Sequence, residues 1–115
     1  MTKPVKISIL IVAILMISGL LAVLVNKQPT QILFYKYECP YCKVVEEYIT
    51  TNNVKNYLVF TELEVSTNPM NAQLLAKKTA SCGLPTDNLG VPLFFDGTNC
   101  YVGDKDIIKY LASKK

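Results

Sequence analysis

The chain has 115 residues, one domain's worth. Half of them are hydrophobic and 18% are charged, too apolar for a disordered chain and high for a small soluble domain. The formal net charge is +3, every basic residue is Lys, and there is no Arg, His or Trp. That excludes Arg readout of nucleic acid, His-built zinc sites, Ser-His-Asp triads and His general bases, and leaves four Cys as the most reactive side chains.

The apolar excess sits at the N-terminus. Ile7–Val25 carries no charge, and nineteen helical residues rise about 28 Å, close to the hydrocarbon thickness of a bilayer. Lys3 and Lys6 precede the stretch, and Lys27 closes it. The reading is an uncleaved signal anchor over residues 1–27, a single-pass transmembrane helix. The rival is a cleaved signal peptide with secretion of the remainder. Such peptides have shorter apolar regions and a small-x-small cleavage site, which Ala13 and Ala22 do not make. The lysine bias places the N-terminus in the cytoplasm and the rest of the chain outside it. Beyond Lys27, nine lysines balance nine acidic residues, so residues 28–115 form a formally neutral domain.

In that domain Gln31–Tyr37 is a β-branched and aromatic run of strand length. Cys39–Thr51 places Val44, Val45, Tyr48 and Ile49 at helical spacing. Leu58–Val65 reads as a second strand, and Asn68-Pro69 opens a helix with Met70, Leu74 and Leu75 inward, ending near Cys82-Gly83. A polar loop leads to a third strand, Val91–Phe95. The turn Asp96–Asn99 connects it to a fourth, Cys100–Val102. Gly103-Asp104 starts a last helix with Ile107, Ile108 and Leu111 inward. The order is βαβαββα, with the first two strands parallel and the last two an antiparallel hairpin.

The motif that carries chemistry is Cys39-Pro40-Tyr41-Cys42, just after the first strand and at the start of a helix. A helix N-terminus offers unpaired N–H groups and partial positive charge, which favour a thiolate at Cys39. Cys42, one turn later, can resolve a mixed disulfide formed at Cys39 or close the intramolecular bridge. Pro40 suits the first helical turn because its missing N–H has no helical partner. A structural zinc knuckle is the competing reading. It would have to recruit Cys82 and Cys100, which are not a second CxxC.

CPYC after a strand resembles glutaredoxin, within the thioredoxin-fold superfamily, and the similarity runs through nearly all of Thr30–Leu111. The resemblance implies a thioredoxin-like, glutaredoxin-type three-layer α/β sandwich behind the transmembrane helix. It also implies catalytic Cys39 and Cys42, and a glutathione- or substrate-binding set of Lys36, Tyr41, Val91, Pro92, Gly103 and Asp104. Pro92 would be cis and face the CxxC, and Val91 would offer its backbone to an extended substrate. Tyr37 and Tyr41 would form an apolar rim. Gly90 stands where the family usually has Thr, and Val102 where it has the first Gly of a pair. In such a fold Cys82 and Cys100 fall at the end of the sheet away from the CxxC. A structural disulfide there competes with two buried free thiols.

The expected activity is membrane-anchored thiol–disulfide exchange with protein thiols and disulfides. No tightly bound cofactor and no metal are expected. Glutathione is a candidate thiol substrate, and a membrane-embedded quinone-linked oxidant is a candidate redox partner. Two alternatives stay open: a glutathione-dependent glutaredoxin facing the cytoplasm, and a non-catalytic binding module whose CPYC is a structural bridge.

Overall fold

The structure, a computed structural model, describes residues 3–25 and 30–115, with the side chains of the first helix described over residues 5–18. Helix α1 (Lys3–Val25) occupies the place of the apolar stretch, and its large apolar side chains from Val5 to Ile17 are exposed. Among the described residues no helix is long and apolar enough to cross a membrane. A membrane anchor is therefore not shown, and the expected boundary between residues 27 and 28 lies outside the described residues.

The remaining elements follow the expected order: β1 (Ile32–Tyr35), α2 (Pro40–Thr51), β2 (Thr61–Glu64), α3 (Pro69–Ser81), β3 (Leu93–Phe95), β4 (Cys100–Val102) and α4 (Asp104–Ser113). The sheet order is β2-β1-β3-β4. β1 pairs parallel with β2 and antiparallel with β3, and β3 pairs antiparallel with β4. The two central strands are buried on both faces, and their period-two alternation divides the core. Leu33 and Phe94 face α2 and α4 with Val45, Ile49, Ile107 and Leu111. Ile32, Phe34, Leu93 and Phe95 face α3 with Val65 and Leu75. These are the three layers of the sandwich.

Two expectations change. The second strand is shorter than Leu58–Val65, because Asn53 adopts a left-handed conformation (φ 50) and a 3-10 turn follows at Val54–Asn56. That turn buries Val54 and leaves Val59 exposed. The inward face of α3 is also rotated: Met70 is 79% exposed, whereas Leu75 and Thr79 are buried. The cap explains this. Asn68 Oδ1 accepts the N–H groups of Met70 and Asn71, and Asn71 instead turns inward, donating from Nδ2 to the Glu64 carbonyl at 2.9 Å. At the other end Gly83 (φ +73) donates to Ala80 O and Leu84 to Thr79 O, the paired bonds of a glycine-terminated helix.

Candidate active site

The register brings three chain breaks together. β1 leaves the sheet after Tyr35, β3 enters at Leu93 and β4 leaves at Val102, with Phe34, Leu93 and Val102 on one row. Lys36, Cys39, Val91-Pro92 and Gly103-Asp104 therefore gather at one end of the sheet, although up to 68 positions separate them in sequence. Cys100, opposite Phe95, lies at the other end.

Cys39 is the N-cap of α2, in extended backbone (φ −137, ψ 109), and Pro40 is the first helical residue. The Cys39 sulfur accepts the Cys42 N–H at 3.2 Å. This is the interaction that an N-cap oxygen normally makes, with sulfur in its place. Cys39 and Cys42 are joined as a disulfide with their Cα atoms 5.1 Å apart. The two sulfurs differ in access. Cys42 is 1% exposed because it shares the inward stripe of α2 with Val45 and Ile49, while Cys39 is half-buried at the surface. An incoming thiol can reach Cys39; Cys42 can reach only Cys39.

The wall opposite is Val91-Pro92. Their peptide bond is cis, Pro92 is fully buried, and the Val91 carbonyl oxygen stands 3.9 Å from Cys39 Sγ. Gly103 N–H donates to Pro92 O at 3.0 Å, which ties the start of α4 to this wall. Gly103 is the N-cap of α4 at φ +90, and Asp104 is its first helical residue. Asp104 and Asp106 place negative charge in the first turn, where the helix dipole favours it. Tyr37 and Tyr41 are 62% and 63% exposed beside the dithiol, and Tyr37 packs edge-on against Tyr35. Lys36 lines a surface groove of about 360 Å³ with Tyr37, Glu38, Ser66 and Thr67.

One contributor went unread in the sequence. Glu64 is buried at the end of β2, and its carboxylate accepts from Thr67 N at 2.9 Å, Thr67 Oγ1 at 2.6 Å, Ser66 N at 2.6 Å and Ser66 Oγ. Burial pushes this carboxyl up. The hydrogen bonds from Ser66 and Thr67 outweigh it and hold the pKa at about 2. The carboxylate thereby fixes the Ser66–Thr67 wall of the Lys36 groove. Glu64-Val65-Ser66-Thr67, an acid followed at two and three positions by hydroxyl residues, was the available signal.

Positions 90 and 102 share one space: a Cβ on Gly90 would lie 3.3 Å from Val102 Cγ1. Val102 is 42% exposed at the rim of the site. At the opposite end of the sheet Cys82 and Cys100 are joined as a disulfide, with Cα atoms 6.0 Å apart. Among the described residues no group of three or more His, Cys, Asp or Glu could hold a metal ion.

No family model matches the chain, and no curated protein matches it. Among solved structures it is similar to glutaredoxin C1 from Populus tremula x tremuloides in its holo form (19% identity, TM-score 0.52, covering 74% of this chain and 76% of that one). Wheat glutaredoxin matches at 20% identity and TM-score 0.53, covering 75% of this chain and 72% of that one. A buckwheat glutaredoxin–glutathione complex matches at 16% identity and TM-score 0.52, covering 74% and 70%. The fold is thus that of the glutaredoxins.

Proposed function

We propose that the protein is a membrane-anchored thiol–disulfide oxidoreductase acting on protein thiols and disulfides. One observation carries this reading: an accessible Cys39 sulfur caps α2 and faces Val91-Pro92, over a Cys42 that is 1% exposed. With the pair reduced, the Cys39 thiolate attacks a substrate disulfide and expels one substrate thiolate, leaving Cys39 in a mixed disulfide. Cys42 then attacks the Cys39 sulfur, expels the second substrate thiolate and closes the Cys39–Cys42 bridge. Two electrons pass from the dithiol to the substrate, and the reverse sequence oxidises a substrate dithiol. The α2 N-terminus and the Cys42 N–H stabilise Cys39 as the attacking and leaving thiolate. The Val91 backbone and the Tyr37–Tyr41 rim offer an extended substrate segment a wall and an apolar edge.

The uncharged run Ile7–Val25 and its flanking lysines support a single-pass anchor, with the N-terminus cytoplasmic and residues 28–115 outside the cytoplasm. A membrane quinone-linked oxidant is then a partner of suitable chemistry. A second reading, glutathione-dependent reduction, is favoured by the convergence of Lys36, Val91-Pro92 and Gly103-Asp104 at the dithiol. Lys36 and the start of α4 would hold the carboxylate ends of the tripeptide. Against it, the Val102 side chain occupies the rim where a Gly would leave space.

The test is exchange by the full chain with a disulfide-containing unfolded protein and, separately, with glutathione mixed disulfides. Cys39→Ser abolishes exchange, and Cys42→Ser accumulates mixed disulfides on a non-reducing gel. Full turnover by Cys39→Ser ends this mechanism. Labelling of engineered cysteines from either side of the membrane tests the topology.

A further inference from the structure

The loop that delivers Val91 to the dithiol is fastened to the edge strand by a disulfide at its start and runs close beside that strand at Gly90. Residues Gly83–Asn88 are exposed, whereas Leu89 and Val91 insert into the α3-side cluster that also contains Cys82 and Cys100. In β4 the side chains alternate. Tyr101 turns to the other layer, stacking on Tyr110 at 4.4 Å, and Cys100 and Val102 share the face toward the loop. Cys100 holds the start of the loop through its bridge to Cys82. Val102 stands beside its far end, where a Cβ on Gly90 would lie 3.3 Å from Val102 Cγ1. The next residue, Val91, sets its carbonyl oxygen 3.9 Å from Cys39 Sγ.

We infer that the Cys82–Cys100 bridge is a positioning element for the Cys39–Cys42 dithiol, acting through loop 83–91. This rests on the reading of Cys39–Cys42 as the reactive pair. The bridge anchors α3's last turn to β4, so the loop must leave Cys82 and reach Pro92 along the strand that it is tied to. Without the bridge the start of that course is untied, and the loop is held at its far end by Leu89 and Val91 in the cluster, by buried Pro92 and by the Gly103 N–H on Pro92 O. The carbonyl oxygen of Val91 is the negative end of a dipole, and close to Cys39 it disfavours the thiolate. Its retreat shifts the dithiol equilibrium toward the reduced form, and loss of the wall slows exchange with an extended substrate. Cooperation between two disulfides at opposite ends of one sheet thus runs through a single loop.

The experiment compares the full chain with Cys82→Ala/Cys100→Ala, with Cys82→Ala/Cys100→Val (which refills the space), and with Val102→Gly (bridge intact). The state of Cys39–Cys42 in glutathione redox buffers is read by alkylation and peptide mass, apart from that of the bridge. Exchange is timed on an unfolded disulfide protein. The bridge variants are expected to shift the dithiol equilibrium constant roughly threefold or more toward the reduced form. They should also slow exchange on the order of tenfold, as a displaced catalytic wall does. Val102→Gly should move both readouts the same way by less. If the native chain exchanges and the folded bridge variants match it in both readouts while only their melting falls, the inference is overturned and the bridge is a staple alone. If neither bridge variant folds, Val102→Gly decides, and an unchanged equilibrium and rate overturn it. If the native chain itself fails to exchange, the inference falls together with the proposed activity.

Discussion

Removal of the Cys82–Cys100 bridge should lower the melting temperature of the domain steeply. The bridge closes a ring across a sequence separation of 18, enclosing the Val91-Pro92 wall, β3 and the turn before β4. In the chain-entropy model such a cross-link removes about 11 cal/mol/K from the unfolded chain, or ~3 kcal/mol at room temperature. For a domain of this size each kcal/mol moves the midpoint by about 4–8 °C, so Cys82→Ala/Cys100→Ala should melt about 12–24 °C lower. With no Trp and seven Tyr in the chain, tyrosine emission is the natural probe, backed by far-ultraviolet circular dichroism. A midpoint within about 3 °C of the native chain would refute the reasoning, because it would mean that the unfolded chain gains almost nothing from losing the ring.

Glu64 makes the stability pH-dependent in a defined window. Its carboxyl falls from the ordinary 4.5 to about 2 in the folded protein. The stabilisation it brings is therefore complete above 4.5 and disappears as pH drops through about 2. Urea midpoints should fall across that window in the native chain and less in Glu64→Gln; equal slopes would remove Glu64 as the cause. Asn68→Ala deletes the side-chain cap of α3 and should cost about 1 kcal/mol in urea unfolding. Phe94→Ala empties a fully buried site between Phe60 and Tyr110, ring centroids 5.5 and 5.2 Å away, and should cost about 3–5 kcal/mol. Gly103→Ala meets no atom within 4 Å of the added Cβ, so its cost of about 1–3 kcal/mol comes from the φ of +90 alone. A loss below 0.5 kcal/mol would show that the start of α4 relaxes without difficulty.

Local chemistry was legible wherever a residue's role depends on near neighbours in the chain. Asn68-Pro69 opens α3 and Gly83 closes it through bonds of two to five residues' reach, so the local residue types located both ends. The same holds for Cys39 and Pro40 at the start of α2. Continuous apolar runs found β1 and β3, because central strands of a covered sheet must bury both faces. The misreadings were of the same local kind but turned on one residue each. The left-handed Asn53 shortened β2, and the inward turn of Asn71 moved Met70 to the surface.

What the sequence by itself determined is a dithiol at a strand–helix junction in a βαβαββα chain behind an uncharged N-terminal stretch. The tertiary structure decided which sulfur is reachable, since Cys42 is hidden by the packing of α2 against the sheet and Cys39 is not. It also decided what stands opposite. Val91 lies 52 positions from Cys39, and only the antiparallel pairing of β3 with both β1 and β4 brings its carbonyl to the dithiol. The space that positions 90 and 102 share and the bridge from Cys82 to Cys100 come from the same register. Spacing along the chain sets capping and periodicity, because those act over one or two turns. Apposition across a sheet depends on strand order and register, which the whole core selects at once.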